Sequence, residues 1–193
     1  MEGWWCGEKY RPQAKSSWVF QMSDYFNLAV EEDIKQNYLK AIEFYERAIL
    51  DRDKRTEIYI NLSFLYWIIG SKFYFRDYHK IPDKIVSSFI YNYEKTIENG
   101  LSLHPDSLEM IFWQKYFFHR LYFDDLSYDD VMDMMNKSKE KSLIPYFLLY
   151  LFDNEKYKTE KDSLLVECNK LKTAKNLYII SILSTKTTSS IKS

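Results

Sequence analysis

Hydrophobic positions recur at intervals of three and four residues along most of this chain, the spacing that gives a helix one apolar face. In YFNLAVEEDIKQ, Tyr25, Leu28, Ala29 and Glu32 follow that period, and Ser23 or Asp24 offers an N-cap oxygen just before it. The triplet QNY makes a short connection to LKAIEFYERAIL, in which Leu39, Ile42, Tyr45 and Ile49 share a face. DRDKR interrupts the pattern. Thr56 and Glu57 then open TEIYINLSFLYWIIG, with Gly70 expected as its C-cap. The next stretch, SKFYFRDYHKIP, is aromatic and irregular. A further helix is expected over about 83–101, ended by His104-Pro105, because a residue before proline avoids the helical region. Asp106 or Ser107 can cap the following segment, LEMIFWQKYFFHRLYF.

Beyond Asp124, four shorter helices are expected in LSYDDVMDMMNKSKEK, SLIPYFLLYLFDNEKY, TEKDSLLVECNKLK and AKNLYIISIL, with Pro145 suited to a first helical turn. No segment alternates with strand period, and no Asn-Gly marks a hairpin. The pattern therefore predicts an all-α fold of about 8–9 helices without a sheet. Only 4 Gly and 4 Pro in 193 residues reinforce it, since so few breakers favour long helices over a turn-rich β architecture. The helices form a single domain over 23–184. An aromatic N-terminal arm precedes it at 1–22, carrying Trp4, Trp5 and Trp18. A Ser/Thr/Lys-rich tail follows at 185–193, with little to bury and expected to be flexible.

Composition narrows the function classes. The 27 basic and 28 acidic residues nearly cancel and interleave in NKSKEK and EKYKTEKD, as on a mixed solvated surface, so neither nucleic acid nor an anionic membrane is the expected partner. The 17 Tyr and 13 Phe suit half-buried helix surfaces, or a surface that meets a partner. Cys6 and Cys168 are far apart, giving neither a disulfide framework nor metal-ligand spacing, which fits a reducing compartment. The start MEGWWCGEKYRP lacks a secretory apolar core, and runs such as YFLLYLF fall far short of the roughly 20 residues of a membrane helix. A soluble, cytoplasmic chain is expected. On composition alone, its Lys, Ile, Asn and Tyr usage suggests an AT-rich bacterial genome.

Little in the chain advertises catalysis. His79, His104 and His119 stand apart, and there is no Gly-rich phosphate loop or nucleophile elbow. The carboxylates Asp124, Asp125, Asp129, Asp130 and Asp133 lack the spacing and central Gly of a calcium loop. They fit a solvated helix start, or an acidic patch that draws in a basic partner. No catalytic residue, cofactor or metal is expected.

One repeat signal remains. On residues 22–55, Tyr25, Leu28 and Ala29 are followed by Ala41, Tyr45 and Ala48 at the offsets by which small and aromatic residues pack paired helices. The arrangement restarts at Thr56, in phase after 34 residues, with Tyr59, Leu62, Ser63 and Tyr66. Its second helix comes about 18 residues late, with Tyr93, Ile97, Gly100 and Pro105, so that unit spans 56–107 around an insertion at about 70–87. This spacing resembles the tetratricopeptide repeat, a helix–turn–helix unit. Asp53 replaces the usual closing Pro, Glu32 replaces an aromatic, and Gln114 and Lys115 spoil a third match, so the resemblance covers about half the chain. It implies a superhelix of helical hairpins that binds protein. Similar proteins include small bacterial immunity proteins, which neutralise a toxin domain, and adaptors or chaperones that bind a peptide segment. Expected partner contacts are Tyr59, Tyr66, Phe73, Tyr74 and Tyr78, with Asp124, Asp125, Asp129, Asp130 and Asp133.

Overall fold

The computed structural model describes residues 24–189, with side chains described through 184. The aromatic arm expected at 1–22 lies outside the described residues. The fold is all-α, with no strand among the described residues. Its helices are α1 (Tyr25–Ile34), α2 (Tyr38–Leu50), α3 (Thr56–Ser71), α4 (Phe73–Tyr78), α5 (Val86–Leu103), α6 (Leu108–Tyr122), α7 (Tyr128–Lys137), α8 (Tyr146–Phe152), α9 (Lys158–Lys170) and α10 (Ala174–Ser189). A 3-10 turn, Asp83–Ile85, leads into α5. Helix α10 therefore continues past the boundary expected at 184.

Two hairpins organise the first half. α1 pairs with α2 through the fully buried Ala29, Ala41 and Ala48, whose small side chains let the backbones approach. α3 pairs with α5 across the intervening α4, so the late second helix does return to its partner. Gly100 of α5 makes that return possible. A Cβ there would lie 2.7 Å from Cβ of Tyr59 and 2.9 Å from Cε of Met110. Gly70 plays a similar part and is not the expected C-cap. It lies inside α3, and a Cβ on it would lie 2.9 Å from Cγ1 of Ile90.

Helix α3 departs most from a repeat scaffold. All thirteen residues Ile58–Gly70 are buried, because α2, α4, α5, α6 and α10 each pack against it. The sequence NLSFLYWIIG has no charged face to turn outward. Ser63 and Asn61 find partners inside: Ser63 Oγ donates to the Tyr59 carbonyl (2.7 Å), and Asn61 Nδ2 donates to Tyr45 Oη (3.2 Å). Trp67 stacks on Phe117 (5.0 Å between centroids) and meets Tyr178 of α10 edge-on (5.6 Å). Stacked hairpins expose a concave surface along successive helices. Here α10 lies against α3, and α3 lines no open groove.

Helix ends are closed mostly without glycine. Gln36, Arg52 and Lys80 take left-handed φ values of 63°, 62° and 53° where α1, α2 and α4 stop. After α2, for example, Asp53 N donates back to the Ala48 carbonyl (3.0 Å) and Arg52 N to that of Ile49 (2.9 Å). Asp24 caps α1, accepting from Asn27 N at 3.3 Å. Ser107 occupies the N-cap position of α6 without using its hydroxyl, and Glu140 supplies the missing acceptor for Leu108 N at 2.6 Å.

Candidate protein-binding surface

Tyr59 and Tyr66, two of the expected contacts, are core residues with 4% and 2% of their surface exposed. Tyr59 packs under Gly100, while Tyr66 meets Phe89 at a tilt (5.0 Å) and donates its hydroxyl proton to Glu46. Neither offers a surface to a partner. The helix phase of α3 and the helices around it account for their burial.

Phe73, Tyr74 and Tyr78 are instead exposed, on α4. This helix has only six residues and would not persist alone. Two anchors hold it. Arg76 donates to the carbonyls of Ile69 (3.1 Å) and Gly70 (3.3 Å), satisfying the open C-terminus of α3. On the other flank, Phe75 and His79 pack on Tyr38 of α2, with centroids 5.1 and 4.7 Å away. Burial holds His79 below its ordinary pKa, which favours the neutral ring that packs there. With its inner face fixed, α4 holds Phe73, Tyr74 and Tyr78 outward, Tyr78 being 79% exposed.

Further exposed apolar side chains share this end of the bundle. The Gly70–Ile90 contact sets the first half of α5 beside the end of α3, and Tyr122 Oη donating to Glu94 (2.8 Å) brings in the end of α6. Ile90 and Tyr91, together with Phe118, Tyr122 and Phe123, are all exposed there. Phe123 is 91% exposed and sits at φ 56°, a left-handed conformation that costs a bulky residue about 1–2 kcal/mol. It gains no burial in return. The sequence did carry a signal for this set: YFFHRLYF places five aromatics in eight residues, more than one helix face can bury.

The acidic segment begins directly after Phe123, and its five carboxylates have different tasks. His119 Nδ1 donates to the Asp124 carbonyl (2.5 Å), fixing the turn that leads away from α6. Asp130 closes a capping box: Ser127 Oγ accepts from Asp130 N (3.2 Å), and Asp130 Oδ2 accepts from Ser127 N (2.9 Å). The Ser127 hydroxyl, then its backbone N–H, holds the Asp130 carboxyl below its usual range. Asp133 pairs with Lys137 one turn on, at 2.7 Å. Asp124, Asp125, Asp129 and Asp133 are all exposed, so four of the five carboxylates lie at the surface.

The remaining polar groups are engaged structurally. His104 Nε2 donates to the Lys54 carbonyl (2.6 Å), tying the end of α5 to the start of α3. Cys168 is buried, and burial pushes its thiol up to about 11, far from a reactive thiolate. A cleft of about 490 Å³ between α6 and α7 is lined by Ile111 and Met134 with Lys115, Lys137 and Asp133, and holds no histidine or cysteine. Among the described residues no three His, Cys, Asp or Glu side chains are placed to hold a metal ion, and no helix is long and apolar enough to cross a membrane. The chain matches no protein-family model, no curated protein and no solved structure.

Proposed function

We propose that the chain is a non-catalytic, cytoplasmic protein-binding module of the bacterial immunity type, which covers and neutralises a toxin domain. One observation carries this reading: exposed Phe73, Tyr74, Tyr78, Ile90, Tyr91, Phe118, Tyr122 and Phe123 gather at one end of the bundle, bordered by Asp124, Asp125 and Asp129. Aromatic anchors with a polar rim are the usual anatomy of a protein interface. The anchored α4 favours a pre-formed surface, which reduces the ordering cost of association. Acidic rim residues suit a partner with basic flanks and speed its approach.

The enclosure of α3 favours this reading over the adaptor or chaperone alternative. An adaptor of this kind holds an extended peptide in a groove, and here α10 occupies the place against α3. A folded partner docking on the bundle end fits better. The test is to express this chain together with the product of the adjacent gene. A one-to-one complex in which that product loses its toxicity supports the proposal. No complex, or a complex with toxicity unchanged, removes the immunity role.

A further inference from the structure

The two ends of the α6–α7 pair differ in charge. Where α6 stops and α7 begins lie the exposed aromatics with Asp124, Asp125 and Asp129. At the opposite end, where α6 begins and α7 stops, two clefts adjoin and share Ser138 and Lys139. One is the cleft of about 490 Å³ lined by Ile111 and Met134, with Lys115 and Lys137. The other, of about 460 Å³, is lined by Leu108, Met135, Leu143 and Tyr146, with Lys141.

Four lysines thus line the pair of clefts against three carboxylates, Asp106, Asp133 and Glu140. Two of the three are engaged: Asp133 pairs with Lys137 at 2.7 Å, and Glu140 Oε2 accepts Leu108 N–H at 2.6 Å. Lys139 and Lys141 are exposed and enter no ion pair among the described residues. Lys115 is also exposed and makes no direct ion pair; the charge it acts on, Asp130, is already held by Ser127. An apolar floor therefore lies below amines that lack carboxylate partners. The ridge between the clefts is pinned as well. Ser138 Oγ accepts Glu140 N–H (3.0 Å), Ser142 Oγ accepts Ile144 N–H (3.2 Å), and Glu140 ties the loop to α6. Lys139 is presented on a fixed support, which lowers the ordering cost of binding.

Two apolar clefts separated by a lysine ridge fit an extended chain. A flat membrane surface cannot enter them, and a nucleic acid backbone has no apolar side chains to fill them. We infer that the clefts on either side of Lys139 bind an acidic segment of a partner protein, its apolar side chains seated in the clefts and its carboxylates paired with Lys115, Lys139 and Lys141. This surface goes beyond the aromatic end and stands whether or not that end meets a toxin domain.

The test titrates a short fluorescein-labelled peptide of alternating leucine and glutamate into the full chain and follows anisotropy. Peptides of serine with glutamate and of leucine with lysine serve as controls. The leucine–glutamate peptide should bind saturably and about tenfold or more tightly than either control, since only it supplies both apolar burial and negative charge. Lys115→Glu combined with Lys139→Glu should weaken that binding about tenfold or more. Both side chains are exposed, so the unfolding midpoint should not move. Lys84→Glu with Lys95→Glu, at exposed positions beside and on α5, should change affinity less than about twofold. No saturable binding, equal binding of the serine–glutamate peptide, or the same loss in the Lys84 and Lys95 variant would overturn the inference. Tighter binding to phosphatidylserine vesicles or to a single-stranded RNA oligonucleotide than to the peptide would do so too.

Discussion

The carboxylate of Asp33, on α1, accepts the backbone N–H of Ala174, the first residue of α10, at 2.7 Å. Asp33 is 1% exposed, and its second oxygen lies 3.3 Å from the hydroxyl of Tyr45, which in turn accepts from Asn61. The group thus caps α10 from the other end of the sequence and joins the first hairpin to the helix that encloses α3. Tyr38 and Tyr45 of α2 and Lys175 of α10 act on it, and Asn61 of α3 holds the Tyr45 hydroxyl from behind.

Burial raises the Asp33 carboxyl to about 7, outweighing the Ala174 N–H, the Tyr45 hydroxyl and the more distant Lys175. A carboxyl raised by folding stabilises the native state most when protonated. Its contribution is complete below the unfolded value near 4 and is lost as pH rises through about 7. Asp33→Asn keeps an acceptor for Ala174 and cannot ionise. Urea unfolding at pH 5 and pH 8 should therefore show the natural chain losing on the order of 3 kcal/mol relative to Asp33→Asn. Parallel pH profiles for the two proteins would contradict the assignment.

Gly100→Ala should destabilise despite its helical position. Alanine gains about 1 kcal/mol of helix propensity over glycine, but its Cβ would meet the Cβ of Tyr59, which cannot swing away. Overpacking of this kind costs about 1–3 kcal/mol. Gly70→Ala meets Cγ1 of Ile90, an exposed side chain that can turn about χ1 toward solvent, and should cost less. Urea midpoints for the two variants, measured side by side, check the order.

The carboxylates of the acidic segment should separate by experiment. Asp130→Ala breaks the capping box with Ser127 and should lower stability by about 1 kcal/mol. Glu140→Ala removes the acceptor at the start of α6 and should cost a similar amount. Asp125→Ala and Asp129→Ala should leave the unfolding midpoint unchanged within about 0.5 kcal/mol, and act only on association with a partner. A large stability loss in the second pair would place them in the framework instead.

Much of the helical framework is legible in the sequence, because α1, α2 and α6 carry an apolar period over several turns and α3 is one long apolar run. Helix α4 is not, since six residues span less than two turns and show no period. Gly70 reads as a cap from the sequence, and only the position of Ile90 reveals the close contact it makes instead. The stops after α1, α2 and α4 use Gln36, Arg52 and Lys80 in a conformation usually marked by glycine, so only the break in period at QNY and DRDKR shows the first two turns. Asp33 with Ala174 and Glu140 with Leu108 are long-range pairs that no local spacing records. The same limit governs the candidate surface. Tyr59 and Tyr78 are the same residue type at helical positions, and one is buried while the other is exposed because of what packs on α3.

The exposed aromatic end is the central claim, and affinity for the partner tests it most directly. Once the adjacent gene product forms its complex, its binding is measured by calorimetry against the natural chain and against Phe73→Ser and Tyr78→Ser. Both side chains lie outside the core, so unfolding midpoints should stay the same. Each substitution is expected to weaken binding by about thirtyfold, the roughly 2 kcal/mol of an interfacial aromatic anchor. Affinities within about twofold of the natural chain for both variants would contradict the placement of the interface on this end of the bundle.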